Sequence, residues 1–151
     1  MRLKIKMILC LLISTIYSTY AQKTPEDIAH NFFELYKTDS IDKAVNYLFA
    51  TNKFSADLQD GINTLKTNLK ESRPQLGKFL GYELVVKQIA GHDLEQLTFI
   101  VKHERLPLTF RMLFYRPSND WQVEHFVFDD KISNELEDAS KKLTSSELPI
   151  N

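Results

Sequence analysis

The chain has 151 residues, a formal net charge of −1 and no run of lysine or arginine, a balance that argues against nucleic acid and anionic membrane surfaces as partners. Hydrophobic residues make up 43% of the chain, which is enough to build one buried core. The single cysteine, Cys10, excludes an intrachain disulfide framework, so the fold must depend on apolar burial.

The first 21 residues have the pattern of a signal peptide. The basic start MRLKIK is followed by the uncharged stretch MILCLLISTIYSTY, and small residues stand at Thr19 and Ala21. We therefore predict cleavage after Ala21 and an exported, bacterial periplasmic or secreted protein with no membrane span once the segment is removed. A retained N-terminal anchor is the alternative. Cleavage would also remove Cys10, which leaves no thiol nucleophile and no thiolate metal site.

Three amphipathic helices are predicted after this segment. Thr24 has the character of an N-cap and Pro25 that of a first helical residue, and apolar residues then recur at three- and four-residue spacing. A second helix is predicted to begin at Asp39-Ser40. A third is predicted from Ala56 to Ser72, and Pro74 should end it, because the residue before a proline is disfavoured in a helix.

From Leu76 onward the apolar period changes to two, which predicts extended strands. The four runs are LGKFLGYELVVKQIA, LEQLTFIVKHE, LTFRMLFYR and WQVEHFVFD. Their connections are too short for parallel crossovers, so neighbouring runs should pair antiparallel. Gly77 and Gly81 suit a bulge or bend of the first run. The predicted fold class is α+β: N-terminal helices packed on a strongly curved antiparallel sheet of at least four strands.

The predicted domain covers residues 22–130, and residues 131–151 are predicted to be a polar tail with one short helix followed by disorder. The domain resembles the nuclear transport factor 2-like superfamily in its element order, in Phe32-Phe33-x-x-Tyr36 and in the W-x-V-x-x-F ending that starts at Trp121. It is similar in particular to secreted bacterial members without an assigned activity. A cystatin-like helix on a sheet is the nearest alternative.

The resemblance implies a cone-shaped cavity between the helices and the concave face of the sheet. It also implies a homodimer formed through the sheet, which is common in this superfamily. Members include ketosteroid isomerase and scytalone dehydratase, which place Asp, His and Tyr side chains in the cone, and others that only bind ligands or proteins. The resemblance therefore implies a location for a site, without fixing a reaction.

Strand alternation assigns the side chains of the predicted sheet to its two faces. On the last run, His125 should share a face with Trp121 and Val123, and Glu124 should lie on the opposite face. We therefore predict that His125 and Glu124 do not act as a pair. Both faces of the middle runs are apolar, so one should pack on the helices and the other should line a pocket or a dimer interface.

The sequence predicts a non-catalytic domain that binds a small apolar ligand or a protein partner in or beside the cone. The predicted pocket wall consists of Phe33, Tyr36, Tyr82, Phe99, Phe110, Met112 and Trp121. The alternative is a small-molecule isomerase, dehydratase or hydrolase that uses a pocket histidine or tyrosine, with His103, His125 and Tyr82 as the candidates. No metal is predicted, because the four histidines lack metal-ligand spacing, and no cofactor is predicted, because the sequence has no glycine-rich phosphate loop.

Overall fold

Three helices precede four strands in a computed structural model that describes residues 23–38, 40–132 and 137. The helices are α1 (Pro25–Lys37), α2 (Ile41–Phe49) and α3 (Gln59–Leu76), with a 3-10 turn (Ser55–Leu58) directly before α3. The strands are β1 (Phe79–Ala90), β2 (Leu94–His103), β3 (Leu108–Tyr115) and β4 (Gln122–Asp129). The predicted signal peptide, Asp39 and nearly all of the predicted tail lie outside the described residues.

The strands form one open antiparallel sheet in the order β1-β2-β3-β4, so β1 and β4 are its two edges. This arrangement confirms the predicted α+β class and the four-stranded meander. Within the described residues, no helix has both the length and the apolar character that a membrane crossing requires.

The start of α1 agrees with the predicted cap. Thr24 Oγ1 accepts a hydrogen bond from the backbone N–H of Asp27 at 3.1 Å, and Asp27 Oδ2 accepts one from the N–H of Thr24 at 3.0 Å. This reciprocal capping box satisfies two backbone donors that the first turn of a helix leaves without partners. The same backbone bond from Thr24 lowers the pKa of the Asp27 carboxyl below its usual value.

The end of α3 differs from the prediction, because Pro74 lies inside the helix and the helix continues to Leu76. Gly77 ends it with a φ of +77°, a left-handed conformation that favours glycine. The last turn is held by bonds that do not need a proline N–H. The N–H of Gly77 donates to the carbonyl of Arg73 at 3.2 Å, and Arg105 Nη1 donates to the carbonyl of Pro74 at 3.3 Å.

The core lies between the helices and one face of the sheet. On β2 and β3 the predicted alternation is confirmed, because Leu97, Phe99 and Val101 are buried together with every second residue of β3 from Leu108 to Phe114. Phe32 and Phe33 of α1 supply the opposing layer. Helices on one side and a half-exposed face on the other are the expected layers of an α+β domain.

Two strands depart from regular alternation. On β1, register shifts occur between Phe79 and Gly81, as predicted for Gly81, and again between Leu84 and Val86. On β4, Leu113 pairs with His125 but Phe114 pairs with Val123, so Glu124 is an extra residue. The strict alternation predicted for the last run is therefore wrong: Val123 and Phe126, three positions apart, both enter the core.

Exchanging each of two glycines for alanine should change stability in opposite directions. Gly77→Ala should lower the free energy of unfolding by about 1–3 kcal/mol, because its φ is +77° and the new Cβ would lie 3.0 Å from Cβ of Glu104. Gly61→Ala, in exposed helix with no atom within 4 Å of the new Cβ, should raise it by up to about 1 kcal/mol. Urea denaturation checks both, and an unchanged midpoint for Gly77→Ala would contradict the left-handed turn.

Candidate functional site

The structure places most of the predicted pocket wall in the solid core. Phe33, Tyr36, Phe99, Phe110 and Met112 are each at most 3% exposed. The rings of Phe33 and Phe99 contact edge to face at 5.1 Å, and those of Tyr36 and Phe110 at 5.7 Å. These side chains pack on one another and on α1, so the space between helices and sheet is filled with aromatic rings at this point.

The other two predicted wall residues are half-buried. The ring of Tyr82 stacks on Phe33, with centroids 3.8 Å apart. The indole of Trp121 lies under the guanidinium of Arg116, with 4.9 Å from Cζ to the ring centroid. Neither lines either of the two clefts described below.

His103, a predicted catalytic candidate, is a buried residue at the end of β2. Its Nε2 lies 3.2 Å from the hydroxyl of Tyr36, and its Nδ1 has no hydrogen-bond partner among the described residues. Burial lowers the pKa of His103, and the positive charge of Arg73 lowers it further. Both effects favour the neutral form of the imidazole.

Tyr82, the second candidate, belongs to a different pair. Its hydroxyl lies 2.8 Å from Nδ1 of His30 on α1, a contact that links α1 to β1 and that the sequence did not predict. Burial raises the pKa of Tyr82, and the charge of Glu34 contributes to the same shift. No described hydrogen bond joins Tyr82, His103 or His125 to one another.

An apolar cleft opens between α3 and the edge strand β4; we call it the α3–β4 cleft. Its volume is about 330 Å³, and its lining residues are Phe49, Asp57, Leu58, Gly61, Ile62, Leu65, Glu124, His125 and Phe126. Gly61 contributes no side chain, and no atom lies within 4 Å of where its Cβ would be. The absence of a side chain at this position helps to keep the cleft open.

The β4 bulge brings Glu124 and His125 to this one cleft, so the prediction that they lie apart on opposite faces is wrong here. Both are exposed, and Glu124 accepts a hydrogen bond from Nε2 of Gln122 at 3.3 Å. No described hydrogen bond or ion pair joins Glu124 to His125. With Asp57, the rim carries two carboxylates and one imidazole around an apolar floor.

A second cleft, about 370 Å³ in volume, lies at the end of α3, where three of its lining residues are Arg73, Lys78 and Arg105. Its polar groups form hydrogen bonds that hold the chain where it turns from α3 into β1. Glu104 Oε2 accepts from the N–H of Lys78 at 3.2 Å, and Arg105 binds the carbonyl of Pro74. Its contacts therefore explain how α3 ends.

Within the described residues, no three histidine, cysteine, aspartate or glutamate side chains lie close enough to form a metal site. Comparisons with protein-family models, with curated proteins and with solved structures give no significant match.

The sequence alone indicates only some of the residues that line the α3–β4 cleft. Leu58, Ile62 and Leu65 recur at three- and four-residue spacing, a pattern that normally indicates the buried face of a helix. Gly61 lies among these residues; a glycine there weakens a helix, and the structure shows that it also leaves a gap in the apolar surface. The contribution of Glu124 and His125 depends on a bulge that no local pattern predicts.

The buried His103 should make the free energy of unfolding depend on pH. Its pKa is lowered in the folded state, so between the usual histidine value of about 6.5 and that lower value the unfolded chain binds more protons. The free energy of unfolding of the wild type should therefore fall as the pH decreases from 7 to 5. The free energy of unfolding of His103→Gln should fall less over this range. Urea denaturation at several pH values measures both slopes, with His92→Gln as a control for the loss of an exposed imidazole.

Equal pH slopes for the wild type and His103→Gln would contradict a neutral buried imidazole. The carboxyl groups with lowered pKa values, those of Glu26, Asp27 and Asp129, lose their contribution only when the pH falls further, towards and below about 4. The window between pH 7 and 5 therefore separates the histidine from these acids.

Proposed function

We propose that this chain is an exported, non-catalytic domain that binds a small apolar ligand in the α3–β4 cleft. The observation that carries the proposal is the composition of this cleft, in which an apolar floor is bordered by a few ionisable groups. A concave, mostly apolar pocket with few polar groups is the usual form of a small-molecule site, and about 330 Å³ lies at the lower end of the size range of such sites.

The filled core supports a position beside the cone. Phe110 is fully buried, and its ring contacts Phe33 and Phe126. A ligand in the centre would have to displace these rings, at a cost comparable to that of emptying a packed core. The α3–β4 cleft needs no such displacement.

The rim favours a ligand that has a positively charged group as well as an apolar body. Asp57 and Glu124 supply two carboxylates, against one histidine at position 125. The acids are exposed, so each contributes modestly to affinity and more to the choice between cations and anions. We propose a small hydrophobic amine as the ligand class.

Membership of the nuclear transport factor 2-like superfamily is part of this proposal. It is supported by the sequence pattern and by the observed order of three helices before a four-stranded antiparallel sheet. Export is supported by the N-terminal sequence alone.

The alternative function, a small-molecule enzyme, stays a prediction. Its candidates are divided between two polar pairs and the cleft: His103 with Tyr36, Tyr82 with His30, and His125 at the rim. General acid–base chemistry requires such groups to converge on one substrate position. No contact in the described part of the chain brings them together.

Octylamine and octanoate, which share an alkyl chain of one length and differ in charge, provide a direct test. Octylamine should shift the backbone NMR signals of Leu58, Ile62 and Phe126, and it should bind at least tenfold more tightly than octanoate. Gly61→Leu should abolish the binding, because its side chain would fill the cleft. Asn68→Leu adds a similar group at an exposed position of α3 outside the cleft and should leave the binding unchanged.

Three results would contradict the proposal. These are equal affinity of the wild type and Gly61→Leu for octylamine, signal shifts that map away from α3 and β4, or tighter binding of octanoate. Tighter binding of octanoate alone would reject an amine as the ligand class, but it would still be consistent with the α3–β4 cleft as the binding site.

A further inference from the structure

β1 is a long edge strand that exposes an unusual amount of apolar side chain. It spans 12 residues and pairs with β2 on one side only. Four large apolar residues on it are exposed: Leu80 (64%), Leu84 (40%), Val85 (38%) and Ile89 (62%). A long apolar edge is a template for pairing with another chain, which monomeric proteins normally suppress.

β1 lacks two common protections of an edge strand, an unpaired lysine and a proline. Its one lysine, Lys87, is directed to its own molecule, where the ammonium pairs with Glu26 of α1 and, at 3.0 Å, with the buried Glu95. The strand has no proline. Among the described residues, no side chain of another element bonds to the β1 backbone.

The opposite edge shows what protection looks like in this protein. On β4, the N–H of Val123 donates to Oγ1 of Thr51 at 3.0 Å, and its carbonyl accepts from Nδ2 of Asn52 at 2.9 Å. The segment after α2 thus occupies both backbone polar groups of Val123, near the start of the β4 edge. The two edges therefore differ: β4 is bonded at Val123 and has one large exposed apolar residue, Val127, whereas β1 has four such residues.

We propose that β1 pairs antiparallel with β1 of a second copy of this chain, about a two-fold axis between Leu84 and Val85. In this register Leu80 lies opposite the second copy's Ile89, and Leu84 lies opposite the second copy's Val85. All four exposed apolar residues then meet in cross-strand pairs, and the two-fold repeats each contact. The product is one continuous sheet across both copies.

The β1 bulge between Leu84 and Val86 makes this register consistent with the faces of the sheet. Opposed residues of an antiparallel pair must point to the same face, and in regular strands a two-fold axis between two successive residues would violate this. The extra residue between Leu84 and Val86 shifts the alternation by one at that point. Tyr82 and Lys87 then share the core face and oppose one another, and Glu83 and Val86 do the same on the outer face.

A second copy fits this edge better than it fits the outer face, the alternative route to a dimer through the sheet. The centre of the outer face is already closed, since Thr98 and Thr109 are at most 2% exposed. Beside them, Arg111 Nη1 and Asp129 Oδ2 form an ion pair at 2.6 Å, which a partner would have to desolvate. The self-complementary order of apolar residues favours another copy of the chain over an unrelated peptide.

Charge exchange at the paired positions tests both the dimer and its register. Sedimentation equilibrium of the purified protein should show a dimer, which L80K and I89E should each weaken at least tenfold by opposing a charge to an apolar residue. The double variant L80K/I89E should recover most of the affinity, because the register places lysine opposite glutamate twice. L106K, at an exposed loop residue, should leave the dimer unchanged.

V85K is a second disruptive variant, since it brings two lysines close to the two-fold axis. All substituted residues are exposed, and circular dichroism checks that each variant is folded.

A wild type that stays monomeric at all concentrations, or a dimer that resists L80K, I89E and V85K, would overturn the proposal. A double variant no better than its two single variants would overturn the register. A one-to-one complex with a foreign extended peptide in native mass spectrometry would overturn the choice of a second copy. The proposal is independent of the α3–β4 cleft.

Discussion

The contact on which the rest of the structure depends is the aromatic layer between α1 and the sheet. Phe32 and Phe33 reach across to Phe99, Phe110 and Phe126, which lie on three different strands, with centroid separations from 5.1 to 6.2 Å. Each such pair adds about 0.5–1.5 kcal/mol beyond burial. The layer fixes which face of the sheet is inside, and it fills the space in which a cone-shaped fold would otherwise hold a ligand.

Local rules predicted the parts of the fold that local interactions determine. The capping box at Thr24 and the alternation of β2 and β3 are decided by near neighbours in sequence and by a two-residue period, so the sequence was sufficient. The sequence was not sufficient to predict the end of α3, because the turn containing Pro74 is held by Arg105, which lies in the connection between β2 and β3. A residue this distant in sequence cannot be recognised from a helical pattern.

The candidate site shows the same division. Ile62 and Leu65 lie on one apolar stripe of α3, as their spacing in the sequence indicates, but the spacing does not reveal whether that stripe is covered or open. The answer depends on β4, where Thr51 and Asn52 bind both polar groups of Val123 and the next residue is the extra one of the bulge. The bulge turns residues 124 and 125 towards α3 and completes the rim.

The two edges of the sheet differ in what they contact. The β4 edge is bonded at Val123 by the segment after α2 and borders the cleft, whereas the β1 edge carries four exposed apolar residues. Neighbouring strands lie about 4.8 Å apart, so three intervals separate the two edges by about 14 Å across the sheet. Pairing of two copies through β1 therefore leaves an α3–β4 cleft on the far side of each copy. Ligand binding and self-association can then occur in the same assembly without competing for one surface.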